Sequence, residues 1–286
     1  MLSPNGDGKK KNGLDGACNA GQLVAQMALA SIYILPLVTF TIIYPIAIAS
    51  GRVWPGDFFI SSALDTGLAH CIGAIGLNLA VEAMMLCAMI RFLIVRIWIR
   101  KTESSASMHP RSSFLISNSL SWAQNLNSTA LGLAFTCNVC LFGATAFNVG
   151  DPRIDNDNGY FGIHIPFAFI GFLSASVYVI LQTVIDEILL EAAKGDDEKE
   201  KSRSWVHTLR WALSIGSFIC FIGMFACLGY SMPISATFEI LLISLALVYF
   251  STWHWEFAEF AKSINGIFSR VLGALDHHDY ALLHSE

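Results

Sequence analysis

The stretch IHIPFAFIGFLSASVYVILQTVI (residues 163–185) decides the fold. It contains no Asp, Glu, Lys or Arg. As a helix it is about 35 Å long, which is enough to cross a bilayer core of about 30 Å. Inside lipid each backbone N–H and C=O group needs a partner within the protein, and a helix supplies these partners locally. The stretch therefore predicts a transmembrane helix.

Five other apolar runs repeat this pattern. The six predicted transmembrane helices lie at about 22–50, 70–95, 114–147, 163–185, 209–230 and 234–253. They predict an all-α fold, a polytopic membrane helical bundle in which residues 22–253 form the six-helix transmembrane domain. Residues 1–21 are a polar N-terminal tail, and residues 254–286 are a C-terminal tail.

Composition agrees with this fold and excludes other classes. Of 286 residues, 54% are hydrophobic and 14% are charged, whereas soluble domains carry about 25% charged residues. A net charge of −5 offers no basic field for nucleic acid. Cys137 and Cys140 have C-x-x-C spacing but lie in an apolar run, so we interpret them as packing residues. We expect neither a metal site nor a cofactor.

The distribution of Lys and Arg predicts the orientation. Of the 17 basic residues, 15 fall in the tails and in the second-to-third and fourth-to-fifth connections with their flanks. Short loops rich in Lys and Arg stay in the cytosol. The predicted orientation therefore places both the N-terminus and the C-terminus in the cytosol.

Four polar residues lie inside the predicted spans, namely Asn78, Glu82, His164 and Glu239. Ionisable side chains in the hydrocarbon region are costly, so each one is a functional hypothesis. In the predicted orientation all four fall toward the non-cytosolic side, where they are candidates for a ligand-binding polar pocket. The alternative is a structural role, in which they form interhelical hydrogen bonds of about 1 kcal/mol. We interpret His164 as a hydrogen-bonded cap rather than a metal ligand.

Three groups of residues share identity and spacing with a family of six-span membrane proteins. They are Ser50, Gly51, Val53 and Pro55 after the first span, His164, Ala168, Val177, Tyr178, Leu181, Gln182 and Thr183 in the fourth, and Ser235, Ala236, Glu239, Tyr249 and Phe250 in the sixth. On these residues the chain resembles the DRAM (damage-regulated autophagy modulator) family and its plasma-membrane and GPI-remodelling relatives. The family's D-T-G motif is displaced here to Asp65-Thr66-Gly67, so we expect a divergent member.

The C-terminal tail carries a candidate sorting signal. Asp279, Tyr280, Leu282 and Leu283 fit both a tyrosine-based and an acidic dileucine pattern, and adaptor proteins read such signals in cytosolic tails. Together with the resemblance, this favours a lysosomal or endosomal membrane. The plasma membrane and the Golgi remain alternatives.

The resemblance implies a non-enzymatic regulator of autophagy, or of lysosomal or plasma-membrane lipid organisation. The chain has no nucleophile elbow, P-loop or dinucleotide-binding fingerprint, which also favours a protein that is not an enzyme. Expected partners are membrane lipids and cytosolic proteins, the latter through residues 186–203 and the C-terminal tail. The first alternative is a lipid-handling or GPI-lipid remodelling factor that uses the polar pocket. A small-solute transporter or channel is the third possibility.

Overall fold

The computed structural model describes residues 8–51, 60–63, 67–106, 113–147, 161–192, 197–228, 230–258 and 260, and nearly all of them are helical. The helices are α1 (Gly8–Ala49), α2 (Ile60–Ala63), α3 (Gly67–Ala106), α4 (Ser113–Ala146), α5 (Phe161–Ala192), α6 (Asp197–Cys227) and α7 (Met232–Ser251). All but α2 contain a segment long and apolar enough to cross a membrane. The predicted all-α fold with six transmembrane helices is confirmed. The orientation stays a prediction.

The six long helices form a closed ring in chain order. Each packs mainly against its neighbours in sequence, from α1 and α3 through to α6 and α7. This is the arrangement expected when short connections join antiparallel helices. A less extensive contact between α7 and α1 closes the ring, and there Tyr33 Oη donates a hydrogen bond to the carbonyl oxygen of Leu247 at 2.9 Å.

Glycine allows close packing between neighbouring helices. A Cβ atom built on Gly143 of α4 would lie 2.6 Å from the ring of Phe167 on α5, and one on Gly223 of α6 would lie 2.8 Å from the ring of Phe238 on α7. A side chain at either position would therefore clash with the neighbouring ring, because real Cβ atoms essentially never approach so closely. Small residues are typical of such interfaces, because helices in lipid associate largely through close packing.

Four charged side chains from different parts of the bundle form a closed cycle, which we call the charge ring. Arg91 of α3 contacts Asp186 of α5 and Glu256, which lies one helical turn beyond α7. Arg210 of α6 contacts the same two carboxylates, at 2.6 Å from Asp186 Oδ2 and 2.9 Å from Glu256 Oε1. Each arginine therefore bridges both acids, and the ring carries no net charge.

Further contacts satisfy the two guanidinium groups. Arg91 is fully buried, and its Nε donates to Gln182 Oε1 at 3.2 Å. The rings of Trp98 and Trp253 lie 5.6 Å from its guanidinium carbon, within the range of a cation–π interaction. Arg210 donates to Thr252 through Nε to Oγ1 at 2.8 Å and through Nη2 to the carbonyl oxygen at 2.9 Å. These bonds offset part of the cost of burying the ions.

The charge ring lies at the bundle end predicted to face the cytosol, and we expect it to lie close to the membrane edge on that side. Arg210 follows the exposed Trp205 by five residues, about 8 Å along the helix, and exposed Trp residues mark the edges of a bilayer. Arg91 and Arg210 are among the flanking charges that predict the orientation, but both are buried. Without them, 13 of the remaining 15 basic residues still fall on the predicted cytosolic side.

We predict that Arg91→Leu strongly destabilises the chain, because it leaves two buried carboxylates with one arginine. Removing one partner of a buried ion pair costs about 3–5 kcal/mol. Thermal and denaturant unfolding of the purified chain in detergent measures the loss. Arg100→Leu, at an exposed position of the same helix, is the control and should change stability by less than about 0.5 kcal/mol.

A double variant tests whether the ring acts as a unit. Arg91→Leu with Glu256→Leu removes one charge of each sign and leaves the neutral pair of Arg210 and Asp186. We expect the double variant to lose less stability than the two single variants together. Additive losses would show that the four charges are energetically independent.

Candidate functional site

A largely apolar cavity of about 150 Å³ lies at the centre of the bundle, toward the end away from the charge ring. All six long helices and the short helix α2 contribute to its wall. Most lining residues are Ala, Val, Leu, Ile, Phe or Met, and the polar ones include Glu239 and His164. Two of the predicted site residues therefore meet at one cavity.

Glu239 joins α7 to the segment between α1 and α3. It is 7% exposed, and its Oε2 accepts a hydrogen bond from the backbone N–H of Ile60 at 3.2 Å. Ile60 is the first residue of α2 and also lines the cavity. The carboxylate of Glu239 thus holds α2 against this part of the wall.

His164 caps the end of α4. Its Nδ1 lies 2.9 Å from the carbonyl oxygen of Ala144 and 3.0 Å from that of Phe147. Carbonyl oxygens only accept hydrogen bonds, so Nδ1 carries a proton and, in the neutral ring, Nε2 is an acceptor. Carbonyl groups at a helix end lack intrahelical partners. His164 supplies one and fixes the start of α5 beside α4.

Asn78 and Glu82 are placed differently from each other. Asn78 Oδ1 accepts a hydrogen bond from Thr145 Oγ1 at 2.6 Å, and Thr145 lines the cavity. Glu82 lies on the outer surface of the bundle, where its Oε1 is 3.5 Å from Asn138 Nδ2. Glu82 is not among the residues that line the cavity. That the four residues bind a ligand stays a prediction.

Two serines that were not predicted from the sequence also belong to the polar part of the cavity wall. Ser176 of α5 and Ser217 of α6 line the cavity and are each 1% exposed. Neither hydroxyl has a hydrogen-bond partner among the described residues. Helical spacing could have identified Ser176, because it lies on the same face of α5 as four other residues of the cavity wall, namely His164, Ala168, Phe172 and Ala175.

A second, smaller cavity of about 30 Å³ adjoins the first and extends toward the charge ring. The two share lining residues, among them Val81, Met84 and Val179. Tyr178 lines the smaller cavity, and its hydroxyl has no partner within the described part of the chain. Apolar space therefore runs along the bundle axis rather than across it.

The charge ring as a unit was also not predicted from the sequence. One feature of the sequence could have indicated it. Four charged residues, two of each sign, lie at or near one end of an apolar run, namely Arg91, Asp186, Arg210 and Glu256. Which residues pair depends on the order of the helices around the bundle, and the apolar runs do not specify that order.

Hydrogen bonds to the backbone hold two polar side chains in the cavity wall. Glu239 and His164 both make hydrogen bonds to the backbone that hold the wall of the cavity. Where the chain is described, no three His, Cys, Asp or Glu side chains are grouped so that they could hold a metal ion. What the site offers is apolar volume with a few polar groups, which is typical of small-molecule sites.

No curated protein and no solved structure matches the chain. A family model does match, described as the Frag1/DRAM/Sfk1/Cwh43P N-terminal domain, over residues 25–260. The match covers most of the chain, including the described residues of the cavity and the charge ring, and it confirms the predicted resemblance. The chain is an integral membrane protein that belongs to the Frag1/DRAM/Sfk1/Cwh43P N-terminal domain family.

Proposed function

We propose that the chain is a non-enzymatic regulator of membrane lipid organisation that holds an apolar segment of a lipid in its central cavity. The observation that carries the proposal is the cavity of about 150 Å³ lined by all six long helices. An apolar cavity of about this size in a soluble protein binds a molecule as large as benzene. In a membrane, lipid chains are the abundant apolar molecules.

An occupant of this cavity would act on the whole bundle, because it would contact every long helix at once. A ligand that binds the folded state stabilises that state, and the stabilisation grows with the logarithm of ligand concentration above the Kd. The lipid content of the membrane would then set how firmly the helices hold together. This links binding to regulation without a chemical step.

The cavity gives a direct test of lipid binding. Ala246 of α7 lines both cavities. The larger side chain in Ala246→Phe should therefore fill the cavity and displace the lipid acyl chain. The phenyl ring takes the volume that the acyl chain would occupy and removes its packing contacts with the wall, so we expect binding to fall about tenfold or more. The measurement is photolabelling of the reconstituted chain by a phospholipid with a diazirine on its acyl chain, with the labelled peptides found by mass spectrometry.

Ser244→Phe is the matched control, because Ser244 is an exposed residue of the same helix. We expect it to keep the labelling of cavity peptides at the wild-type level. If Ala246→Phe labels those peptides as strongly as Ser244→Phe does, the lipid does not occupy the cavity and the proposal is wrong.

A lipid-handling or GPI-lipid remodelling factor is the second candidate, and the position of Glu239 and His164 at the cavity favours it. Glu239→Gln separates the two functions. A glutamine Oε1 still accepts the N–H of Ile60, so a regulator should keep its function, whereas acid–base chemistry needs the carboxyl group. The measurement is lipid and GPI-anchor composition after re-expression at normal level in cells that lack the chain.

A transporter is less well supported. At the level of the charge ring, the centre of the bundle is filled by buried Arg91, Tyr249 and Trp253.

The Glu239→Gln experiment has two decisive outcomes. A wild-type lipid composition would exclude the lipid-remodelling factor. An altered lipid composition would exclude the non-enzymatic regulator.

The organelle is part of the proposal, with a lysosomal or endosomal membrane favoured over the plasma membrane and the Golgi. It is supported by Asp279, Tyr280, Leu282 and Leu283, which lie outside the described residues. We predict that Tyr280→Ala with Leu282→Ala and Leu283→Ala moves a tagged chain from lysosomes to the cell surface. Imaging against organelle markers measures this, and His284→Ala is the control. Unchanged lysosomal location would show that these residues are not the signal.

Recruitment of cytosolic proteins through residues 186–203 and the C-terminal tail also belongs to the proposal. The structure limits the first segment, because Asp186 is engaged in the charge ring. Glu187 and Glu191 are exposed and are the described acids in this segment that a partner can reach. A partner surface would therefore begin at Glu187.

A further inference from the structure

One face of α3 points away from the bundle along its whole membrane segment. Its residues recur every three or four positions and are all exposed: Cys71, Ile75, Leu79, Glu82, Leu86, Met89 and Leu93. We call this row the α3 stripe. It is about 33 Å long, close to the thickness of a bilayer core. Glu82 lies at its centre and is its one ionisable carboxyl group.

Glu82 is poorly satisfied within one copy of the chain. It is level with Asn138 of α4, which lies eight residues before the end of that helix, about 12 Å along the helix from the end predicted to face away from the cytosol. The separation of Glu82 Oε1 and Asn138 Nδ2 is 3.5 Å, at the limit of a hydrogen bond. A carboxyl group facing lipid at this depth is costly unless another protein group pairs with it.

We propose that the α3 stripe is the interface between two copies of this chain, with Glu82 of each copy paired to Asn138 of the other. Both copies share one orientation in the membrane, so the two α3 helices run parallel about a two-fold axis along the membrane normal. Such an interface presents the same surface on both sides and must be complementary to itself.

The surface meets this requirement. It holds a hydrogen-bond acceptor, Glu82, beside a donor, the amide of Asn138, and a two-fold axis between them brings each group to its complement in the second copy. The rest of the stripe is mainly Leu, Ile and Met, which pack on the same residues. A spacing of three and four residues lets parallel helices pack side by side, and a single polar position in such a seam fixes the register.

A second copy explains the position of Glu82 better than a different membrane protein does. A basic residue on a foreign helix would satisfy the carboxylate, but it would leave Asn138 Nδ2 with only the long contacts of its own copy, at 3.5 Å to the carbonyl oxygen of Val81 and 3.5 Å to Glu82 Oε1. Phe135 and Val139 of α4 are exposed beside Asn138 and extend the apolar surface next to the stripe. The interface therefore includes both helices.

Native Cys71 serves as a reporter. It is exposed at the outer end of the α3 stripe, so a dimer places two copies of it near each other. The full chain is reconstituted in phosphatidylcholine vesicles at a high lipid-to-protein ratio and treated with a short bis-maleimide. We expect a covalent dimer for the wild type and none for Cys71→Ser, the control for the other cysteines.

Energy transfer between labelled copies, followed as the vesicles are diluted with lipid, gives the dimerisation constant without relying on a cross-link. Interhelical hydrogen bonds in membranes contribute modestly, so losing the two Glu82 pairs in Glu82→Leu should weaken dimerisation about tenfold. Leu86→Trp should also weaken it. Ile219→Trp, at an exposed apolar position of α6, is the matched control and should leave it unchanged.

Each contrary outcome overturns the proposal. A chain that stays monomeric by energy transfer has no such interface. A dimer that neither Glu82→Leu nor Leu86→Trp weakens uses a different surface. A chain that is monomeric in pure vesicles but is cross-linked through Cys71 to another protein in cell membranes binds a foreign helix there.

Discussion

The charge ring is the interaction on which the bundle depends. A single unpaired ion at its depth would be too costly, so Arg91, Asp186, Arg210 and Glu256 are acceptable only when all four arrive together. Their helices must therefore adopt one mutual arrangement. The ring also ties the chain beyond α7 to the bundle, since Arg210 holds Thr252 and Glu256. Each of these charges alone opposes membrane insertion. Paired as a closed set, they favour one arrangement of the helices over others.

This ring divides the bundle into two regions with different chemistry. At its own level, ions, hydrogen bonds and buried aromatic rings fill the space between the helices. At the other end the wall is largely apolar and leaves a cavity, and hydrogen bonds join the side chains of Glu239 and His164 to backbone groups there. One end is rigid by necessity, and the other has room for a ligand.

Properties that depend on one segment could be predicted from the sequence, and those that depend on helix order could not. The run at 163–185 predicts its own helix because length and polarity suffice. Asn78 and Glu82 show where this reasoning stops. Four helical residues turn the chain by about 400°, so their side chains point about 40° apart. At the edge of a buried face, that difference turns Asn78 toward Thr145 and leaves Glu82 facing outward.

Helix α3 contributes residues to the charge ring and to the cavity wall, and it also bears the outward-facing carboxylate of Glu82. These three features are therefore joined through one helix. Arg91 fixes α3 at one level, while Leu77, Val81 and Met84 line the cavity on its inner face. The α3 stripe lies on its outer face. A tilt of α3 caused by packing on its outer face would move its inner face and change the space in the cavity. Association of two copies and filling of the cavity would therefore be coupled, and such coupling acts equally in both directions.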